Sequence, residues 1–195
     1  MTPGEKNGLF ADIDKACKVM QAGGIVIYPT DTIWGLGCDA TNAEAVARIY
    51  EIKQRADNKA LIMLVPYAVW VERYVEEVPE VAWELMDAAV NPMTIVYDKG
   101  INVAPNLIGK DGSIGIRVTT ERYSQELCRR LHKPIVSTSV NVSGCPSPKI
   151  FSEIAKEMLE KADYVAEYRR EDKRETKAST VIKLGSGGLI KILRS

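Results

Sequence analysis

Residues Ile27–Ala40 read IYPTDTIWGLGCDA. The run from Gly24 to Tyr28 is almost continuously apolar, as expected of a strand covered on both faces. It passes into Pro29, then Thr30, Asp31 and Thr32, then Trp34, Gly35 and Gly37. Hydroxyls beside a carboxylate can hold a small polar molecule such as an amino acid, and glycines allow a close backbone approach. The same residues can also make a tight strand-to-helix turn closed by local side-chain caps. Composition leaves the two readings level.

Outward from this stretch, strands and helices alternate. Ile13, Cys17 and Met20 share one helical face, which Gly23-Gly24 ends. Thr41 with Glu44 has the capping-box spacing and predicts a helix with Val46, Ile49 and Tyr50 inward. ALIMLV (60–65), MTIVYD (93–98), SIGIRV (113–118) and KPIVST (133–138) read as strands. Helices are predicted from Pro79, over Tyr123–Leu131 and over Phe151–Lys161. STVIKL, the turn GSGG and LIKILR read as a terminal hairpin. The pattern predicts an α/β fold, a single domain over 1–195 with a mixed sheet.

Lysine plus arginine equals aspartate plus glutamate at 26 each, so no global basic field points to nucleic acid or membrane, although a local patch is allowed. Four scattered cysteines without a C-x-x-C pair, and the single His132, argue against zinc and fit a reducing cytoplasm. No apolar run approaches the roughly 20 residues of a membrane span, and the charged N-terminal stretch lacks a signal-peptide core.

Four segments interrupt the packing pattern, and open α/β sheets usually bind ligands beyond strand ends. The first is the opening stretch. The second, KQRADNK (53–59), places Lys53, Arg55 and Lys59 at a predicted helix end, where they face water or clamp phosphates. In the third, Arg117 stands in an apolar strand and needs a partner, either a buried carboxylate or a bound one. The fourth, STSVNVSGCPSP (137–148), clusters hydroxyls with Asn141 and suits either a serine-rich loop or a phosphate or adenylate pocket. Neither the P-loop nor the dinucleotide fingerprint is present. Glu167–Lys177 carries nine charges of both signs in eleven residues and reads as a solvated loop.

In this order and spacing, YPTDTIWGLG, KQR with Lys59, SIGIR, STSVNVSG and STVIKL…ILR resemble the YrdC-like family, the threonylcarbamoyl-AMP synthases, from about Gly23 to Arg194. The resemblance implies a twisted mixed α/β sheet, flanked by helices, around a basic concave cavity. It implies formation of threonylcarbamoyl-AMP and pyrophosphate from L-threonine, bicarbonate or carbon dioxide, and ATP with Mg2+, without a permanent cofactor. Partner proteins then modify tRNA, and direct contact with tRNA or double-stranded RNA is one alternative role. The resemblance places Lys53 and Arg55 at the catalytic phosphates. It assigns Arg55, Lys59, Ser113, Ser139, Asn141, Ser147 and Arg194 to ATP, and Thr32, Arg117, Ser137 and Ser179 to threonine. Leu64, Val118 and the charged 167–177 segment depart from the family pattern. The chain ends at Ser195, before the extra domain of longer relatives. A paralogous branch tends to lose the paired Lys and Arg and the Ser-x-Asn motif, both kept here as Lys53 with Arg55 and Ser139 with Asn141. His132 lies outside every matched motif and suits a solvated or capping role.

Overall fold

The computed structural model describes residues 3–54, 61–185 and 190–194. Its strands are β1 (Val26–Tyr28), β2 (Gly35–Gly37), β3 (Ile62–Val65), β4 (Met93–Tyr97), β5 (Ile114–Val118), β6 (Ile135–Ser139), β7 (Tyr164–Val165), β8 (Thr180–Leu184) and β9 (Ile190–Arg194). They form one mixed sheet in the order β7-β1-β2-β6-β3-β5-β4-β8-β9. The helices are α1 (Pro3–Gln21), α2 (Ala43–Ile52), α3 (Glu80–Ala88), α4 (Arg122–Leu131) and α5 (Lys156–Glu160). Helices α1 and α4 pack on each other, with α1 reaching β1 and β7 and α4 reaching β3.

The helices form where their apolar faces recur. Ile13, Cys17 and Met20 on α1, and Tyr123, Leu127 and Leu131 on α4, are all buried. Gly23 ends α1 at φ +81°, a conformation that favours glycine. His132 closes α4 as its left-handed C-cap. Helix α2 buries Val46, Ile49 and Tyr50, but its cap differs from the capping-box expectation. Asp39 accepts both Thr41 N and Thr41 Oγ1, so Asn42 takes over and accepts from Ala45 N at 3.1 Å. The predicted helix over 151–161 is broken in two: Ile154 and Ala155 are extended, with ψ near +123° and +139°, between a short 3-10 turn and α5.

The glycines of the opening stretch form a strand that the sequence reading missed. Gly35–Gly37 pairs antiparallel with both β1 and β6. The ring of Tyr28 crosses β2 and donates its hydroxyl to Val136 O of β6 at 2.7 Å. A Cβ on Gly37 would stand 1.9 Å from Val136 O and 2.8 Å from the Tyr28 ring, so only a glycine lets the ring lie there. Strand β7, parallel to β1, is likewise an addition, and its two residues give no periodic signal.

Candidate active site

Alternation along the strands decides what the concave face presents. On β5, Gly115 and Arg117 face a cavity while Ile114 and Ile116 are core; Ser113, just before the strand, continues the cavity row. On β8, Val181 and Lys183 face it, and Ile182 and Leu184 are buried behind. The register between β8 and β9 shifts, with Val181 opposite Arg194 and Ile182 opposite Ile192. Leu193 is the extra residue of a bulge, and consecutive Leu193 and Arg194 both reach the cavity. The result is a hollow of about 480 Å3, within the usual range for a small-molecule site. It lies across the face of the sheet rather than only beyond strand ends.

Eight of the residues singled out from sequence line this one cavity: Thr32, Ser113, Arg117, Ser137, Ser139, Ser147, Ser179 and Arg194. They come from chain segments spread over more than 160 positions, brought together by strand order. Thr32, Ser179 and Arg194 are held in place by hydrogen bonds. Thr32 N donates to Thr30 Oγ1 at 3.0 Å, and Thr30 Oγ1 donates to Ile33 O at 2.7 Å, which fixes the turn after β1. Ser179 Oγ bonds Thr94 Oγ1 at 2.8 Å, and Arg194 Nε and Nη2 donate to Ser179 O at 3.0 and 2.8 Å.

Arg117 has the buried carboxylate partner that the sequence reading allowed. Its Nη2 pairs with Asp31 Oδ1 at 3.0 Å, both side chains being 5% exposed or less. Burial pulls the guanidinium's pKa down and the Asp31 charge opposes this. Arg117 Nε has no hydrogen-bond partner among the described residues. A buried donor without an acceptor, on a cavity wall, is suited to an incoming carboxylate.

Lys53 and Asn141 stand behind the wall. The Lys53 ammonium, 2% exposed, donates to Ser139 O at 2.6 Å, Asn141 O at 2.7 Å and Asn141 Oδ1 at 3.3 Å. Asn141 Oδ1 also accepts from Ser139 Oγ, and its Nδ2 donates to Cys145 O at 2.6 Å. The two residues therefore shape the Ser139–Cys145 turn, and Lys53 does not line the cavity as the resemblance implies. Arg55 and Lys59 lie outside the described residues.

The sequence reading missed three contributors. Asp111 and Lys183 face each other on the cavity wall at 2.9 Å. The charged 167–177 segment is more than a solvated loop. Arg169 donates to Thr30 O at 3.3 Å and pairs with Glu121 and Asp172, and Thr176 Oγ1 donates to the Thr32 carbonyl, so the segment straps the turn that carries Thr32. A lysine interrupting the alternation of STVIKL was a signal of the same kind as Arg117; the strap had none, because its inward residues do not recur at a fixed period.

The family model Sua5/YciO/YrdC, described as telomere recombination, matches residues 18–195. The chain belongs to this family. A Sua5/YciO/YrdC relative from Methanocaldococcus jannaschii, provisionally named a threonylcarbamoyl-AMP synthase, is 37% identical over 171 residues, 87% of this chain and 79% of its own. A threonylcarbamoyl-AMP synthase from Coxiella burnetii is 33% identical over 135 residues, 69% of this chain and 73% of its own. The solved structure of P. abyssi Sua5 complexed with L-threonine superposes with a TM-score of 0.80 at 28% identity, covering 93% of this chain. The present chain spans about half of that Sua5 chain, 53%. The large twisted sheet with flanking helices is thus the Sua5/YciO/YrdC architecture.

Proposed function

We propose that the protein is a threonylcarbamoyl-AMP synthase, a nucleotidyltransferase using ATP and L-threonine. The observation that carries this is the convergence of the amino-acid and nucleotide residues expected from sequence on one cavity, with the unpartnered Arg117 Nε on its wall. The names of the relatives and the threonine complex of Sua5 support the same reading.

In this reading the threonine carboxylate is bound by Arg117, whose Nη2 is paired with Asp31 at 3.0 Å. Ser137, Ser179 and Thr32 orient the amino acid, and the strap at Thr176 keeps the Thr32 turn in place. The threonine amine adds to carbon dioxide with loss of a proton to water, or to bicarbonate with loss of water, and becomes a carbamate. A carbamate oxygen attacks the α-phosphate of ATP, the bond to the bridging oxygen breaks, and pyrophosphate leaves with the electron pair. Negative charge grows on the leaving group, so fixed donors supply the catalysis. Arg55, Lys59 and Arg194 are the cations assigned to it, with Ser113, Ser139 and Ser147 as neutral donors. Lys53 acts as a positioning residue, through the carbonyls of Ser139 and Asn141. Magnesium enters with the triphosphate as part of the substrate. Among the described residues, no group of three or more His, Cys, Asp or Glu side chains is placed to hold a metal.

The product serves partner proteins that modify tRNA. The alternative of a non-catalytic RNA-binding role has less support, given the balanced charge of the chain and the names of its relatives. No helix among the described residues is long and apolar enough to cross a membrane, and all four cysteines are unpaired thiols, which suits work in the reducing cytoplasm. The test is amino-acid selectivity of pyrophosphate release in the presence of ATP and bicarbonate. Threonine should exceed serine by about 10–200-fold, one methyl in an apolar pocket, and valine should be inert because it leaves the hydroxyl's partners unpaired. Equal rates with valine, or with no amino acid, would contradict the reading.

A further inference from the structure

One charged pair on the cavity wall has no assignment from the family resemblance. Lys183 Nζ lies 2.9 Å from Asp111 Oδ2 and 4.0 Å from Asp98 Oδ1. Asp111 Oδ1 accepts from Ser113 Oγ at 2.6 Å and Ser113 N at 3.1 Å, so the pair is joined to a residue expected at the nucleotide. These bonds, the serine's first and then the lysine's, hold the Asp111 carboxyl well below the usual carboxylate range, and the aspartate in turn raises the Lys183 pKa.

Packing does not ask for a lysine at this place. Ile182 and Leu184 fill the core side of β8, while the Lys183 side chain, 32% exposed, lines the cavity. A carboxylate on the wall of a polyphosphate site repels the ligand, and Asp111 is the sole carboxylate among the described lining residues. Among the described lining residues the cations are Arg117, Lys183 and Arg194. Asp31 holds Arg117 in a buried pair, and Ser179 anchors Arg194. Lys183 differs from both: its wall partner is a carboxylate that is 59% exposed, whereas the Asp31 side chain is 5% exposed and Ser179 is buried. Turning it requires rotation of a flexible four-carbon stem and no change in the fold.

We propose that Lys183 exchanges Asp111 for the phosphates of the nucleotide on binding, so that Lys183 is a phosphate ligand and Asp111 a built-in competitor that lowers affinity. The inference rests on the ATP reading above. A triphosphate brings more negative charge than a carboxylate and outcompetes it, whereas a monophosphate does so weakly.

Isothermal titration of AMP, ADP and an ATP analogue with a methylene between its α- and β-phosphates tests this on the full chain at fixed ionic strength. Lys183→Met should weaken the ATP analogue about 5–20-fold, the scale of a charge-assisted bond at a half-exposed site, and AMP by less than about twofold. Asp111→Asn should tighten the analogue about 2–5-fold, a sign that general damage to the wall does not produce. Equal losses for all three nucleotides in Lys183→Met would overturn the proposal, as would an Asp111→Asn variant with unchanged or weaker binding. If Lys183→Met does not fold, Lys183→Gln and Asp111→Asn decide it by the same criteria. Wild-type protein that binds none of the nucleotides would remove the ATP reading itself. Wild type that binds while Lys183→Met changes nothing removes only the lysine assignment.

Discussion

Lys53→Met separates two accounts of the lysine that opens the KQR motif. Methionine keeps an unbranched chain of similar length and deletes only the ammonium. That ammonium, 2% exposed, donates at 2.6 and 2.7 Å to the carbonyls of Ser139 and Asn141. Losing it leaves two buried acceptors facing an apolar tip, at about 1–3 kcal/mol each. Relief from holding a charge out of water offsets part of this, leaving a net loss of about 2–4 kcal/mol. For a chain of this size each kcal/mol shifts Tm by about 2–4 °C, so a fall of roughly 4–16 °C is expected. Nucleotide binding weakens as well, because Ser139 lines the cavity and its backbone is one of the groups released. Urea unfolding and nucleotide titration on the same sample read both effects. Stability unchanged within about 0.5 kcal/mol, together with a rate loss of about 10²–10³, would refute this reasoning and return Lys53 to the role of a fixed cation on the phosphates.

Asp31→Asn strands the buried Arg117 charge and should cost about 3–5 kcal/mol in denaturant unfolding, with saturating threonine restoring part of it through its own carboxylate; a loss under about 1 kcal/mol would show that the pair is solvated. Gly37→Ala places a methyl 1.9 Å from Val136 O and should cost about 3 kcal/mol or more, whereas Gly8→Ala, in the open on α1, should stabilise by about 0.5–1 kcal/mol; thermal unfolding of the two variants checks the contrast.

The central strands and the helices α1, α2 and α4 were legible because burial on one or both faces leaves a period in the sequence. What was illegible had other causes. Strand β2 is written in glycine, a poor strand former by propensity, because the Tyr28 ring occupies the space its side chains would fill. The helix over 151–161 kept its apolar spacing yet broke at Ile154, whose side chain is buried from an extended backbone. Thr41 lost its capping role to Asn42 because Asp39, two residues earlier, competes for both Thr41 donors. The cavity residues were found segment by segment, but only the strand order shows that Ser113, Ser147 and Arg194 share one hollow. The inward turn of Lys53 was hidden for the same reason: its acceptors are main-chain carbonyls 86 and 88 positions away, which no side-chain pattern records.

The most direct measurement of the central claim is incubation of the protein with ATP, L-threonine and labelled bicarbonate, followed by chromatography of the adenylates. The account predicts a labelled threonylcarbamoyl-AMP, with pyrophosphate in equal amount, only when all three substrates are present. Pyrophosphate or AMP formed at the same rate without threonine or bicarbonate, and no labelled adenylate, would contradict it.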